Sequence, residues 1–226
     1  MSNPEQTAED LPRASASSGT RRGEGVFAHW PNRITMMRFV GSLLLFVLMA
    51  LEGFVVPERK TYIGIAFWLF LIIALSDALD GYLARKGNVV TAFGRIADPF
   101  VDKVLVLGTM IFLAVMPWSA QYFPAWIVVA VLAREFLVTG IRGYVESLGL
   151  EFGADGFGKI KMVMQCIAIG IVLGQHALPW PQILKDAYHV LAHVFVWATL
   201  ISTIGSGLTY ISKTRKLLSK SVSGGA

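Results

Sequence analysis

Cysteine, acidic residues and charge in general are scarce in this chain, and each shortage closes off a class of protein. A single cysteine, Cys166, among 226 residues excludes an intramolecular disulfide. It lies inside the apolar run 162–173 with no basic neighbour, so a packed thiol is expected there and not a reactive one. Charged residues are 15% of the chain against 54% hydrophobic, and the mean hydropathy is +0.59, too apolar for an ordinary soluble domain. Residues 1–25 contain no apolar core, which excludes a secretory signal or a span at that point and leaves a disordered cytoplasmic tail. Asp and Glu number 15 and Lys and Arg 20, for a net charge of +5. The basic residues are dispersed at the ends of apolar segments and form no patch, so anionic membrane lipid, and no nucleic acid, is the expected partner.

Long apolar segments are what the chain has in abundance. A span takes about 20 apolar residues, and the candidates are 39–56, 62–83, 97–116, 123–145, 160–178 and 188–211. The expectation is an all-α, polytopic integral membrane protein with six transmembrane helices. A short interfacial amphipathic helix over 26–37, with Trp30 and Arg33 at the headgroups, precedes them. One membrane domain then covers 26–214, followed by a cytoplasmic tail over 215–226, and no room remains for a separate soluble catalytic domain. One set of connections carries Arg21, Arg22, Arg33, Arg85, Lys86, Arg95, Arg142, Lys159, Lys161, Lys213, Arg215, Lys216 and Lys220, whereas the other carries only Arg59, Lys60 and Lys185. By the positive-inside rule both termini face the cytoplasm of a bacterial-type inner or plasma membrane.

The scarce acids are concentrated. Asp77, Asp80, Asp98 and Asp102 fall at the cytoplasmic ends of the second and third expected spans. On a helix Asp77 and Asp80 lie about 60° apart, and Asp98 and Asp102 about 40°, so each pair shares a face. Four carboxylates next to lipid would neutralise or repel one another unless cations held them ionised. Two acidic faces that meet make a divalent-cation site, and hard oxygen donors favour Mg²⁺ or Mn²⁺, two ions in the fullest form. Gly81 and Gly94 leave room for a bulky ligand, and Arg85 offers a phosphate fork. The plainer alternative, helix caps and ion pairs in a loop, suits one aspartate better than four at paired helical spacings.

A second polar region follows in the fourth expected span. Arg134 lies deep in an apolar run, where a cation needs a specific partner, either an anion or Glu135. With Arg142 and Lys159 it forms a candidate anion pocket open to the cytoplasm. Taken singly, Arg142, Lys159 and Lys161 read equally well as part of the positive-inside belt. Residues 153–159 match the first part of a P-loop, but Ile160 stands where Ser or Thr must reach Mg²⁺ and no strand precedes, so they read as a flexible loop. His29, His176, His189 and His193 do not cluster with the acids and are expected as packing or interface residues. Carboxylates with metal at the cytosolic boundary suit displacement at phosphorus, with one carboxylate as general base.

The eight residues Asp77, Asp80, Gly81, Ala84, Arg85, Gly94, Asp98 and Asp102 fill the pattern D-x2-D-G-x2-A-R-x8-G-x3-D-x3-D, which resembles the signature of the CDP-alcohol phosphotransferases. The resemblance runs from about Asn32 to Thr214. Blocks 98–105, 133–142 and 158–162 are similar to the phosphatidylglycerophosphate synthase branch of that family. It implies transfer from CDP-diacylglycerol to sn-glycerol 3-phosphate with release of CMP, and it implies a homodimer. By matched position the four aspartates bind the cations and Asp102 is also the base. Gly81 and Arg85 lie against cytidine and pyrophosphate, Thr91 is a further contact, and Asn32 and Thr35 face the nucleotide. Arg134, Arg142 and Lys159 take the acceptor phosphate. Two rivals are a sister transferase acting on inositol phosphate or serine, and, in a different class, a cation or proton transporter, which would carry acids near the bilayer midplane.

Overall fold

The computed structural model describes residues 30–55, 61–87, 92–149 and 156–223, and every element among them is helical. Helix α1 spans Trp30–Ala50 and widens into a π-helical turn at Leu51–Val55. It is followed by α2 (Thr61–Gly87), α3 (Ala92–Val115), α4 (Ala125–Ser147), α5 (Gly156–Ala177) and α6 (Gln182–Ser223). Proline and glycine set several of the limits. Pro124 caps the start of α4 with φ −58° and ψ 141°, and Pro179 and Pro181 separate α5 from α6. Gly149 ends α4 at φ 72° and bonds back to the carbonyl of Glu146, a left-handed position that suits glycine.

Helix packing closes a ring in the order α1, α2, α5, α6, α4, α3, with α5 also touching α3. Although consecutive in the chain, α2 and α3 share no comparable interface among the described residues, because α1 lies between them. Leu45, Met49, Ile63, Phe70, Met110, Leu113, Phe123, Ile169 and Leu173 fill the core of the ring.

Large apolar side chains lie on the exterior, and several charged ones lie inside. Val40, Leu44, Val47, Ile72 and Ile201 are exposed, while Arg38, Glu52, Glu135, Lys161 and Gln165 are buried. That inversion suits a protein whose surroundings are hydrocarbon. Three helical stretches, Asn32–Val55, Ile160–Ala177 and Gln182–Leu217, are long and apolar enough to cross a membrane, and Thr61–Asp77 is a shorter apolar helix. The chain is an integral membrane protein of helical build. The acids and cations of α3 and α4 are what keep those two below the same apolar mark.

Three expectations change in detail. The interfacial lead-in and the first span are one uninterrupted helix from Trp30, and residues 26–29 lie outside the described residues. All the helices outrun their apolar cores, since a helix continues past the lipid-facing run until its backbone is capped or broken. For the same reason α6 continues past residue 214 to Ser223.

At the end of the ring formed by the 116–124 connection, aromatic contacts close the bundle. Trp118 stacks on His176 with ring centroids 4.2 Å apart. The Tyr122 hydroxyl and His189 Nδ1 share a hydrogen bond of 2.6 Å, and Trp180 Nε1 donates to the carbonyl of Gly174 at 3.0 Å. Burial pushes the Tyr122 phenol above its ordinary value, so it is a neutral hydroxyl at neutral pH. The three described histidines are thus used in packing at this end.

The α1–α3 contact depends on a missing side chain. Phe46 stacks on Phe112 with centroids 5.6 Å apart, and a Cβ at Gly108 would drive into the Phe46 ring. Gly108→Ala is expected to destabilise the bundle by about 1–3 kcal/mol despite the better helix propensity of alanine. Gly140→Ala, where a Cβ meets nothing within 4 Å, is expected to be neutral or stabilising. Thermal unfolding of both variants in one detergent checks the pair.

Candidate active site

One face of α1 builds the floor of the site. Asn32, Thr35, Arg38, Ser42, Leu45, Met49 and Glu52 are all buried, and they recur at the three- and four-residue steps of a single helical stripe. The stripe is polar over its first three turns and apolar at Leu45 and Met49, before Glu52 in the following π-helical turn. It enters the bundle between α2 and α3, so its polar upper part meets the aspartates of both helices.

The contacts are direct. Thr35 Oγ1 donates to Asp98 Oδ1 at 2.5 Å. Arg38 Nη1 pairs with Asp77 Oδ1 at 2.6 Å, and Arg38 Nη2 pairs with Asp102 Oδ1. The Arg38 side chain is only 6% exposed, against 24% for Asp77 and 22% for Asp102, so the carboxylates line an opening with the guanidinium at its base. The i, i+3 pair Thr35 and Arg38 on α1 thereby engages the i, i+4 pair Asp98 and Asp102 on α3. Pro99, inside α3 between those acids, withholds a backbone N–H from the carbonyl one turn back.

The acidic faces of α2 and α3 meet around the Arg38 guanidinium of α1. Asp77, Asp98 and Asp102 are brought to one place. Asp80, Gly81 and Arg85 belong to α2, but the side chains of Asp80 and Arg85 lie outside the described residues, as does Thr91 altogether. Asn32 and Thr35 are buried on the stripe just described. Arg38 is the residue that pattern reading missed. Its signal was present: it stands three residues after Thr35 and six after Asn32, on the same face, and a cation on a buried stripe has to find acids.

A basic cluster lies at the same end of the ring. Glu135, buried on α4, accepts from Arg134 Nη1 at 3.0 Å and from Lys161 Nζ on α5, both at the same oxygen. Lys103, next to Asp102 in the chain, donates to Thr139 Oγ1 at 2.7 Å. Arg142 Nε donates to the Tyr210 hydroxyl on α6 at 3.4 Å, and Arg134 packs its stem against Gly207 one turn earlier on that helix. One carboxylate thus faces two cations at contact, with Lys103 also near enough to influence Lys161. The surplus is positive, and Arg134 Nε is buried without a hydrogen-bond partner. Lys161, expected in the solvated belt, is buried at 5% exposure. The side chain of Lys159, in the first turn of α5, lies outside the described residues.

Glu135 is the keystone of that cluster, and its loss leaves two buried cations without their shared counter-charge. Glu135→Ala is expected to cost about 3–5 kcal/mol of stability. Adding Lys161→Met to the same chain is expected to recover a substantial part of it. A double-mutant cycle by thermal or denaturant unfolding measures the coupling.

Comparison with known proteins gives a consistent result. Residues 28–205 match the family model described as CDP-alcohol phosphatidyltransferase. The CDP-diacylglycerol–glycerol-3-phosphate 3-phosphatidyltransferase of Bacillus subtilis (strain 168) is 35% identical over 198 residues, covering 84% of this chain and 97% of the relative. The protein of the same name from Rickettsia felis is 31% identical over 149 residues, 66% of this chain and 77% of its own length. The matched region contains both the acidic and the basic cluster.

Proposed function

The chain belongs to the CDP-alcohol phosphatidyltransferase family, and from that premise we propose that it transfers the phosphatidyl group of CDP-diacylglycerol to sn-glycerol 3-phosphate. The products are phosphatidylglycerophosphate and CMP. One observation carries the choice of a phosphorylated acceptor, and the names of the relatives favour glycerol 3-phosphate among such alcohols. An acidic cluster suited to a cation-bound diphosphate and a basic cluster with surplus positive charge share one end of the bundle, joined along α3 by the adjacent Asp102 and Lys103. Serine as acceptor would give the basic cluster no anion to bind, whereas a phosphorylated alcohol does.

In this reading the hydroxyl oxygen of the acceptor attacks the phosphatidyl phosphorus of the donor. The bond from that phosphorus to the bridging oxygen breaks, and CMP leaves with the electron pair. Asp102 takes the hydroxyl proton, which its place beside the opening permits. Arg134, Arg142 and Lys159 hold the acceptor phosphate, and Asn32, Thr35, Gly81, Arg85 and Thr91 lie along the nucleotide. The chemistry of the donor set supports a divalent cation: hard carboxylate oxygens from two helices lie about one place, where a guanidinium is lodged. Asp77, Asp80, Asp98 and Asp102 would hold Mg²⁺ or Mn²⁺, two ions in the full site. Bound metal would supply neutralisation of the diphosphate charge.

The same reading takes all six helices across the bilayer, with the start of α1 at the interface. The end of the ring holding both clusters faces the cytoplasm, where the basic connections gather and water-soluble substrate and CMP exchange. Both termini lie on that side, and the protein works as a homodimer.

Asp98→Asn and Asp102→Asn are expected to lower CMP release by at least about a hundredfold while the bundle stays folded. Arg142→Ala is expected to raise the KM for glycerol 3-phosphate about tenfold with little change in kcat. Purified protein given CDP-diacylglycerol with glycerol 3-phosphate, inositol phosphate or serine in turn checks the acceptor. CMP release confined to either of the latter two overturns the assignment, and full turnover by the Asp102 variant overturns the mechanism.

A further inference from the structure

The acid cluster gives Arg38 a role outside the eight-residue signature, one that rests on the divalent-cation reading of the four aspartates. Arg38 reaches the cluster from α1, and its two terminal nitrogens take an oxygen of Asp77 on α2 and an oxygen of Asp102 on α3. A cation shared between α2 and α3 has to join those same carboxylates. With the guanidinium between them, no three His, Cys, Asp or Glu side chains among the described residues are grouped so as to hold one metal ion. Arg38 Nε is buried and has no hydrogen-bond partner. Among the described residues the polar partners of the guanidinium are those two carboxylates.

We propose that Arg38 is a resident counter-cation that competes with divalent metal for Asp77 and Asp102. Without metal it supplies the counter-charge of the clustered acids and ties α1, α2 and α3 together, because like charges in an apolar bundle otherwise repel one another. Metal binding displaces the guanidinium from at least one of the two carboxylates. The site consequently binds metal less tightly than its carboxylates alone would, and the displaced charge remains beside the place where a diphosphate has to lie.

The test uses the full chain purified in detergent, with Mn²⁺ as the probe. Free Mn²⁺ is measured by its paramagnetic resonance signal, and thermal unfolding is followed in chelator and in saturating Mn²⁺. Arg38→Gln is expected to bind Mn²⁺ at least about tenfold more tightly than wild type, since no ion pair has to break first. Its unfolding midpoint is expected to fall in chelator and to approach wild type as Mn²⁺ is added. Arg38→Lys, which keeps the charge but not the fork, falls between the two and serves if the Gln variant does not fold in chelator. Mn²⁺ binding that is unchanged or weaker in the Arg38 variants overturns the competition and leaves the metal site standing. A loss of stability equal with and without Mn²⁺ marks Arg38 as a fixed tie and also overturns it. Wild-type protein that binds no more Mn²⁺ than Asp102→Asn refutes the metal reading itself, and the competition with it.

Discussion

Charge buried among apolar helices has to be answered locally, and the Arg38 guanidinium between Asp77 and Asp102 is where this bundle meets that demand most sharply. A carboxylate next to hydrocarbon is costly, and several together are costlier. Here the answering charge comes from a third helix. That single requirement accounts for α1 sitting between α2 and α3, for the polar start of its buried stripe, and for Thr35 and Arg38 following one another on the same face.

The basic cluster obeys the same rule with the signs exchanged. Glu135 is buried beside Arg134 and Lys161, and it links α4 to α5 much as Arg38 links α2 to α3 through α1. The two networks differ in balance. At the first the acids outnumber the cation, and at the second the cations outnumber the acid. Each is left with a residual charge opposite to that of a group the proposed reaction has to hold: cation for the first, phosphate for the second. The opposite end of the ring is closed by Trp118, Tyr122, His176 and His189 in ring contacts and a hydrogen bond, and no comparable cluster of charges gathers there among the described residues. Chemistry and closure are thus divided between the two ends of one set of helices.

Membership of the CDP-alcohol phosphatidyltransferase family follows from the match over residues 28–205, and the structure adds organising residues that the signature does not contain. Arg38, Glu135 and Lys161 lie outside the eight signature positions, yet they are the residues whose burial organises the helices around them. Gly108 acts similarly away from the chemistry, by letting Phe46 of α1 lie against α3.

Read as a string, the chain already determined that it is helical and membrane-embedded, and it marked four aspartates as a candidate centre, because apolar run length and acid spacing are local properties carried by neighbouring residues. The separation of Asp98 and Asp102 by one turn needs no partner helix to be seen. What only the tertiary structure decided is which helix stands between which. Nothing in residues 77–102 shows that α2 and α3 meet through α1, because that depends on how the faces of six helices close a ring. The same holds for Lys161, which looks like one more cation of a solvated belt until α5 packs on the rest and burial forces it onto Glu135. Burial is a property of the assembled bundle. A charge's role here follows from what surrounds it in space, and the chain order of residues far apart in sequence does not contain that information.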